Sequence, residues 1–185
     1  MHRQREGRGR AVAQWRRLAA VAAGVVLVGF AACDDEDDAT GPNAEVEEQR
    51  AFIDGIVPHH EIANMRADEA LAKAVHPGLR TIAQRMKEDQ GREISQYKAI
   101  RQQLLGSSET PAPMMPMPIP AGPEFDREWM LMMINHHQGA IDLSTLAHGS
   151  NVQSTLDSLA HHTIEEQREE QQEFRDSIAV WYGTR

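Results

Sequence analysis

The segment that decides the fold is Trp129-Met-Leu-Met-Met-Ile-Asn-His136-His137-Gln-Gly-Ala140-Ile141, and it has a relative earlier in the chain. The earlier segment, Phe52-Ile-Asp-Gly-Ile-Val-Pro-His59-His60-Glu-Ile-Ala63, carries a similar histidine pair 77 residues before the second one. Each copy has an aromatic residue seven positions before its first histidine and an alanine four positions after it. An internal repeat of this kind predicts two copies of one structural unit.

Both copies are predicted to be helical, because their apolar residues recur at helical spacings and nothing alternates as in a strand. The first helix starts at Glu45, and Pro58 should kink or restart it just before the histidines. A turn at His76-Pro77-Gly78 leads to a second helix that ends at Gly106. The third helix is predicted over 124–148 and the fourth over 152–182, with Asn151 as a possible N-cap.

A proline-rich segment separates the two copies. Residues 106–123 contain six prolines and three methionines, so they are predicted to be a linker between repeat 1 (45–105) and repeat 2 (124–183). Each helical hairpin has an apolar face that it cannot bury alone. The sequence therefore predicts an all-α fold over 45–185, a four-helix bundle made of two duplicated αα-hairpins joined by a Pro/Met-rich crossover linker.

The first 32 residues have the features of an export signal. Six arginines precede an apolar run over 18–32, which ends in two alanines directly before Cys33. We interpret residues 1–32 as a lipoprotein-type signal peptide and Cys33 as the lipidated residue, followed by an acidic tether over 33–44. The alternative is ordinary cleavage, which leaves a soluble protein with one free thiol. Either way we expect a bacterial protein exported to the periplasm or cell envelope.

The charge of the chain limits its partners. Removing six arginines and one glutamate with the predicted signal lowers the formal charge from −9 to −14. A surface of this sign disfavours nucleic acid and anionic lipid as partners. We therefore expect no nucleic-acid partner, and contact with a membrane only through the lipid.

The repeated histidines indicate metal ligands. His59, His60, His136 and His137 occupy equivalent places, and neighbouring helical residues point about 100° apart. One imidazole of each pair can therefore face the bundle centre while its neighbour faces an adjoining helix. Three methionines lie nearby and are candidate auxiliary ligands: Met65, Met132 and Met133. Imidazole with thioether favours Cu(I) and Ag(I), and Cu(II) where histidine dominates.

Other interpretations compete with this site. A ferritin-type di-iron centre requires Glu-x-x-His motifs, and the sequence contains none. Each methionine taken alone is better explained as core packing, whereas Met114, Met115 and Met117 lie among prolines and could be exposed thioethers. His161 and His162 lack counterparts in the first repeat, and a surface pair of His161 with Glu165 is an alternative to a ligand role. His76 and His148 are interpreted as structural.

These residues resemble the DUF305 family, in which His-His-x-x-Ala-Ile-x-Met follows Met-Met-Ile. The match is close at 132–141 and looser at 59–65, and it extends over about 45–183. Leu143 replaces the usual methionine of the second copy, and Gly55-Ile56 replaces the Met-Met expected before His59. The resemblance implies an exported, ferritin-like four-helix bundle, and copper binding as in some members.

The leading hypothesis is an exported, lipid-anchored protein that binds copper, with silver as a surrogate, for buffering, storage or resistance. A metal-handling protein of the envelope is the partner that this function would imply. The alternative is a non-metal envelope interaction module whose histidines are structural or sense pH. No catalytic constellation accompanies the histidines, so an enzyme is not expected.

Overall fold

The computed structural model describes residues 42–148 and 152–183 and contains four helices. They are α1 (Pro42–Lys73), α2 (Pro77–Leu105), α3 (Phe125–Ala147) and α4 (Ser154–Tyr182), and none of the described residues forms a strand. The prediction of an all-α four-helix protein is confirmed. Cys33, the signal and Asn151 lie outside the described residues. Within these ranges no helix is long and apolar enough to cross a membrane.

The predicted interruption of the first helix is wrong in one respect. α1 continues through Pro58 without restarting, and it begins three residues earlier than the predicted Glu45. A proline inside a helix removes one hydrogen bond and costs about 3 kcal/mol. Here Ile56 and Val57 before the proline and His60 after it are all buried, so packing of this helix face offsets that cost.

The helix ends follow local chemistry. His76 precedes Pro77, the first residue of α2, and its Nδ1 accepts a hydrogen bond from the Gly78 N–H at 3.1 Å. α2 ends at Leu105, and Gly106 directly after it adopts the left-handed conformation with φ of 72°. The predicted turn and helix end are therefore both found.

The helices pack as two hairpins. α1 packs on α2 and α3 on α4, α1 and α3 form the closer contact between hairpins, and α2 and α4 approach each other sparsely. Two apolar clusters fill the bundle. One contains residues from 63–86 and 125–133 with Phe174, and the other contains residues from 52–57, 97–100 and 140–160. Along both α1 and α3, the histidine pair lies between these clusters.

A pair of buried side chains joins the hairpins at opposite ends. Asp126 at the start of α3 accepts hydrogen bonds from the backbone N–H groups of Val75 (2.9 Å) and His76 (2.6 Å). Gln49, at the equivalent position of α1, accepts one from the N–H of Gln153 at 3.2 Å. Each hairpin thus stabilises the turn of the other, in agreement with a duplicated unit.

The proline-rich segment is fixed to the bundle at Ser107, whose carbonyl accepts from Arg101 Nη1 at 2.9 Å, and at Ile119. Ile119 donates its N–H to Glu69 Oε1 at 2.6 Å, and its carbonyl accepts from Lys73 Nζ at 2.8 Å. Its side chain packs against the first apolar cluster. The described linker contains no helix between α2 and α3, as its prolines predict.

Candidate metal centre

A polar layer crosses the middle of the bundle between the two apolar clusters. Its buried members come from all four helices and are His60, Gln90, Glu93, His137, Thr163, Gln167, Glu170 and Gln171. Polar groups in such a position cost free energy unless they have partners. This layer is therefore where a function can be sought.

The first histidines of the two pairs meet at the interface between α1 and α3. The rings of His59 and His136 lie with their centroids 3.8 Å apart and their planes inclined at 39°. Each ring is 6.2 Å from the ring of its own neighbour, His60 or His137. The fold thus brings all four predicted histidines together, two from each repeat.

The second histidine of each pair turns towards the adjoining helix of its hairpin. His60 Nε2 lies 2.8 Å from Glu93 Oε2 on α2, and His137 Nε2 lies 2.8 Å from Glu170 Oε2 on α4. A carboxylate in this position accepts the Nε2 proton, fixes the tautomer and leaves Nδ1 with a lone pair. The same arrangement in both repeats resembles the carboxylate–histidine support of a metal ligand.

The ring nitrogens of the four histidines show whether these residues are suited to bind a metal. Nδ1 of all four histidines is buried without a hydrogen-bond partner, and so is His136 Nε2. A buried nitrogen without a partner costs about 1–3 kcal/mol. Several such atoms grouped in one layer fit a site whose lone pairs are used by a cation.

The electrostatics keep the facing imidazoles neutral. Burial, followed by repulsion from His60 and His137, lowers the pKa of His59 to about 4. Burial, followed by repulsion from His59, His137 and His60, lowers the pKa of His136 to about 2. Because only neutral imidazole can bind a metal, both rings are ready as ligands at neutral pH.

The absence of a side chain at Gly139 leaves room for the His59 ring between α1 and α3. A methyl group at this position would lie 2.9 Å from His59 Nε2. The equivalent residue of the first repeat is Ile62, so the two halves of the site differ here. His59 therefore occupies space that any larger residue at 139 would take.

The methionines predicted as auxiliary ligands have different surroundings. Met133 is fully buried in the first apolar cluster, and Met132 is half-buried against the same cluster. Met65 is half-buried and belongs to neither cluster. Met133 thus has a packing role, while Met65 and Met132 keep part of their surface accessible.

The remaining candidates are spread over the surface. Met114, Met115 and Met117 are 82%, 79% and 86% exposed. His162 pairs with Glu166 at 3.1 Å, whereas the ring of His161 lies 5.0 Å from that of His148. The surface pair suggested for His161 and Glu165 is therefore not formed.

His76 and His148 have structural contacts. His76 caps α2 and stacks on Trp181, with ring centroids 3.8 Å apart. His148 follows α3 and pairs with Asp157 at 2.8 Å. Both positions agree with the structural interpretation.

Sequence reasoning found the four histidines but missed their carboxylate partners. Glu93 and Glu170 occupy equivalent positions of the two repeats, 77 residues apart, and each follows its histidine by 33 residues. This shared separation was the signal that could have identified them. A pairing between helices cannot be derived from helical periodicity alone, because it depends on how the hairpin turns.

Comparison with known proteins agrees with the repeat. The family model described as "Domain of unknown function (DUF305)" matches twice, over residues 31–101 and 102–178. No curated protein matches the chain.

Solved structures of CopM are similar to the chain. CopM in the Ag-bound form is 32% identical with a TM-score of 0.67, and the match covers 73% of this chain and 98% of CopM. The Cu(I)-bound form gives 32% identity, a TM-score of 0.66 and the same coverage. The Cu(II)-bound form gives 30%, 0.65, and coverage of 72% and 97%. With the family model matching most of its length in two copies, the chain belongs to the DUF305 family.

Proposed function

We propose that this protein binds copper, with silver as a surrogate, at a site formed by His59, His60, His136 and His137. The observation that carries the proposal is the meeting of four imidazoles, two buried in the polar layer and two half-buried beside it, each with a buried and unpartnered nitrogen. Structures of the similar protein CopM with Ag, Cu(I) and Cu(II) support this choice of metal.

The donor set suits this chemistry. Imidazole binds both oxidation states of copper, and a thioether adds preference for Cu(I) and Ag(I). Met65 and Met132 are the auxiliary ligands that remain partly accessible, while Met133 would have to leave the apolar cluster to take part. Since α1 and α3 each contribute one histidine pair, one site would join the two repeats.

The role we propose is metal buffering, storage or resistance in the cell envelope, in exchange with a metal-handling partner protein. Residues 1–32 would direct export, and Cys33 would carry the lipid. A Cys33→Ser variant should then move from the detergent phase to the aqueous phase of a cell extract. Equal partitioning of both proteins would remove the lipid anchor from the proposal.

A titration tests the metal site directly. The full chain is titrated with Ag(I), Cu(I) and Cu(II) beside a variant with all four histidines changed to alanine. The matched control carries His148→Ala and His161→Ala. Both substitutions replace histidines that lie outside the polar layer. We expect the parent and the control to bind alike, and the fourfold variant to bind at least a hundredfold more weakly.

Thermal unfolding gives a second readout. A metal that binds only the folded state stabilises it by about 2.7 kcal/mol at a hundred times its dissociation constant. The melting temperature of the parent and the control should rise with Ag(I), and that of the fourfold variant should not. A parent that binds no metal would favour the alternative, an envelope interaction module with structural histidines.

A further inference from the structure

A second group of side chains with metal-ligand chemistry extends from Glu93, a member of the polar layer, towards the surface of α4. Single donor atoms of Glu93, His162 and Glu166 all lie within 4.8 Å of one another. His162 Nε2 is already 3.1 Å from Glu166 Oε1. Donor atoms around a tetrahedral Zn²⁺ are roughly 3.3–3.6 Å apart, so small side-chain rotations would bring all three within reach.

We infer that Glu93, His162 and Glu166 form a second cation site, which takes a divalent first-row ion such as Zn(II). This inference goes beyond the proposed copper site. Two carboxylates and one imidazole are a harder donor set than imidazoles with thioethers, and they suit Zn(II) or Mn(II) better than Cu(I) or Ag(I). The two sites would therefore differ in the metal that they prefer.

The internal repeat provides a comparison for this site. The equivalents of His162 and Glu166 in the first repeat are Arg85 and Asp89. There, Arg85 pairs with Glu173 and Asp89 pairs with Arg92, so guanidinium groups neutralise the carboxylates. That half of the molecule supplies its own positive charge.

The group around Glu166 lacks such neutralising guanidinium groups. Glu169 replaces Arg92, and His162 replaces Arg85. In the part of the chain that the structure describes, Glu93 and Glu166 pair with histidines and with no lysine or arginine. A bound cation would supply the missing charge.

Glu93 has the capacity to serve both sites. Its Oε2 lies 2.8 Å from His60 Nε2, and its Oε1 accepts a hydrogen bond from Thr163. A carboxylate has about four lone-pair sites, so two remain for a cation. The open side of the group is formed by α4, where His162 is exposed and Glu166 half-buried, which gives an ion access from solvent.

The test is a calorimetric titration of the full chain with Zn(II), using His162→Ala and Glu166→Gln as variants. His161→Ala is the matched control, because the adjacent histidine is also exposed but lies against His148. A His59→Ala/His136→Ala variant separates the new site from the proposed copper site. Circular dichroism verifies that each variant is folded.

We expect the parent to bind one equivalent of Zn(II), and the affinity for this equivalent to be at least tenfold lower in His162→Ala and in Glu166→Gln than in the parent. The control and the His59→Ala/His136→Ala variant should retain this binding, and Ag(I) binding should be unchanged in His162→Ala. Unchanged Zn(II) affinity in both His162→Ala and Glu166→Gln would overturn the inference. So would the loss of all Zn(II) binding in His59→Ala/His136→Ala. Failure of Ag(I) to bind would overturn only the copper proposal.

Discussion

At the scale of single residues, the lack of a side chain at Gly139 allows the His59 ring to take its position in the site. We predict that Gly139→Ala lowers the affinity for Ag(I) by about tenfold or more, because the added methyl would lie 2.9 Å from His59 Nε2 and displace the ring. The stability should change little, since alanine is favoured over glycine in a helix by about 0.5–1 kcal/mol and this gain offsets the displacement.

Gly91→Ala is the matched control, because nothing lies within 4 Å of the methyl that it adds. It should increase the free energy of unfolding by about 0.5–1 kcal/mol and leave Ag(I) affinity unchanged. Competition with a chromophoric chelator measures both affinities. Equal Ag(I) affinity of Gly139→Ala and the parent would show that the position of His59 does not matter for binding.

A second prediction at this scale concerns Glu170, whose Oε2 lies 2.8 Å from His137 Nε2. Glu170→Gln keeps the shape of the side chain but removes its charge. The imidazole of His137 then becomes less basic and a weaker metal ligand. Loss of such a partner costs about 10–100-fold in metal affinity. We expect a reduction of this size in Ag(I) or Cu(I) competition titrations. The exposed neighbour provides the control, and Glu169→Gln should bind like the parent.

At the scale of the elements, each hairpin is held by a side chain of the other. Asp126 is fully buried and accepts two backbone N–H groups at the turn between α1 and α2, while Gln49 accepts one at the opposite turn. Hydrogen bonds to a charged group contribute about 1.5–3 kcal/mol each, and those to a neutral group about 0.5–1.5. The duplicated unit is thus stabilised unequally at its two ends.

We therefore predict that Asp126→Ala lowers the free energy of unfolding by about 2–4 kcal/mol, because it leaves two backbone N–H groups without partners. Gln49→Ala should cost about 1 kcal/mol. Urea denaturation followed by circular dichroism measures both. A smaller loss for Asp126→Ala than for Gln49→Ala would contradict this account of how the hairpins are joined.

At the scale of the whole molecule, the sequence predicted the repeat, the four helices and the convergence of the histidines, because all three depend on spacing along the chain. It did not predict the continuity of α1 through Pro58, which depends on the packing of Ile56, Val57 and His60. Nor did it identify Glu93 as the partner of His60, since that contact depends on the angle between two helices. What sequence reasoning missed is what tertiary packing determines.

The buried layer also makes the stability of the whole bundle depend on pH. In the folded protein the pKa of His59 is lowered to about 4 and that of His136 to about 2, both below the ordinary value of 6.5. As the pH falls below about 6.5, the unfolded chain binds protons at these histidines that the folded chain does not bind. Acid therefore favours the unfolded state, and the loss continues down to the folded pKa values.

For the metal-free protein we predict that the free energy of unfolding falls by roughly 2–4 kcal/mol between pH 7 and pH 5. Urea denaturation of chelator-treated protein at several pH values measures this loss. A His59→Asn/His136→Asn variant isolates it, because the other titrating groups are the same in both proteins. The variant should lose most of this dependence over the same interval. If parent and variant lose equal stability, burial does not hold the two facing imidazoles neutral. The claim that these rings are ready to bind metal in the metal-free protein would then be refuted.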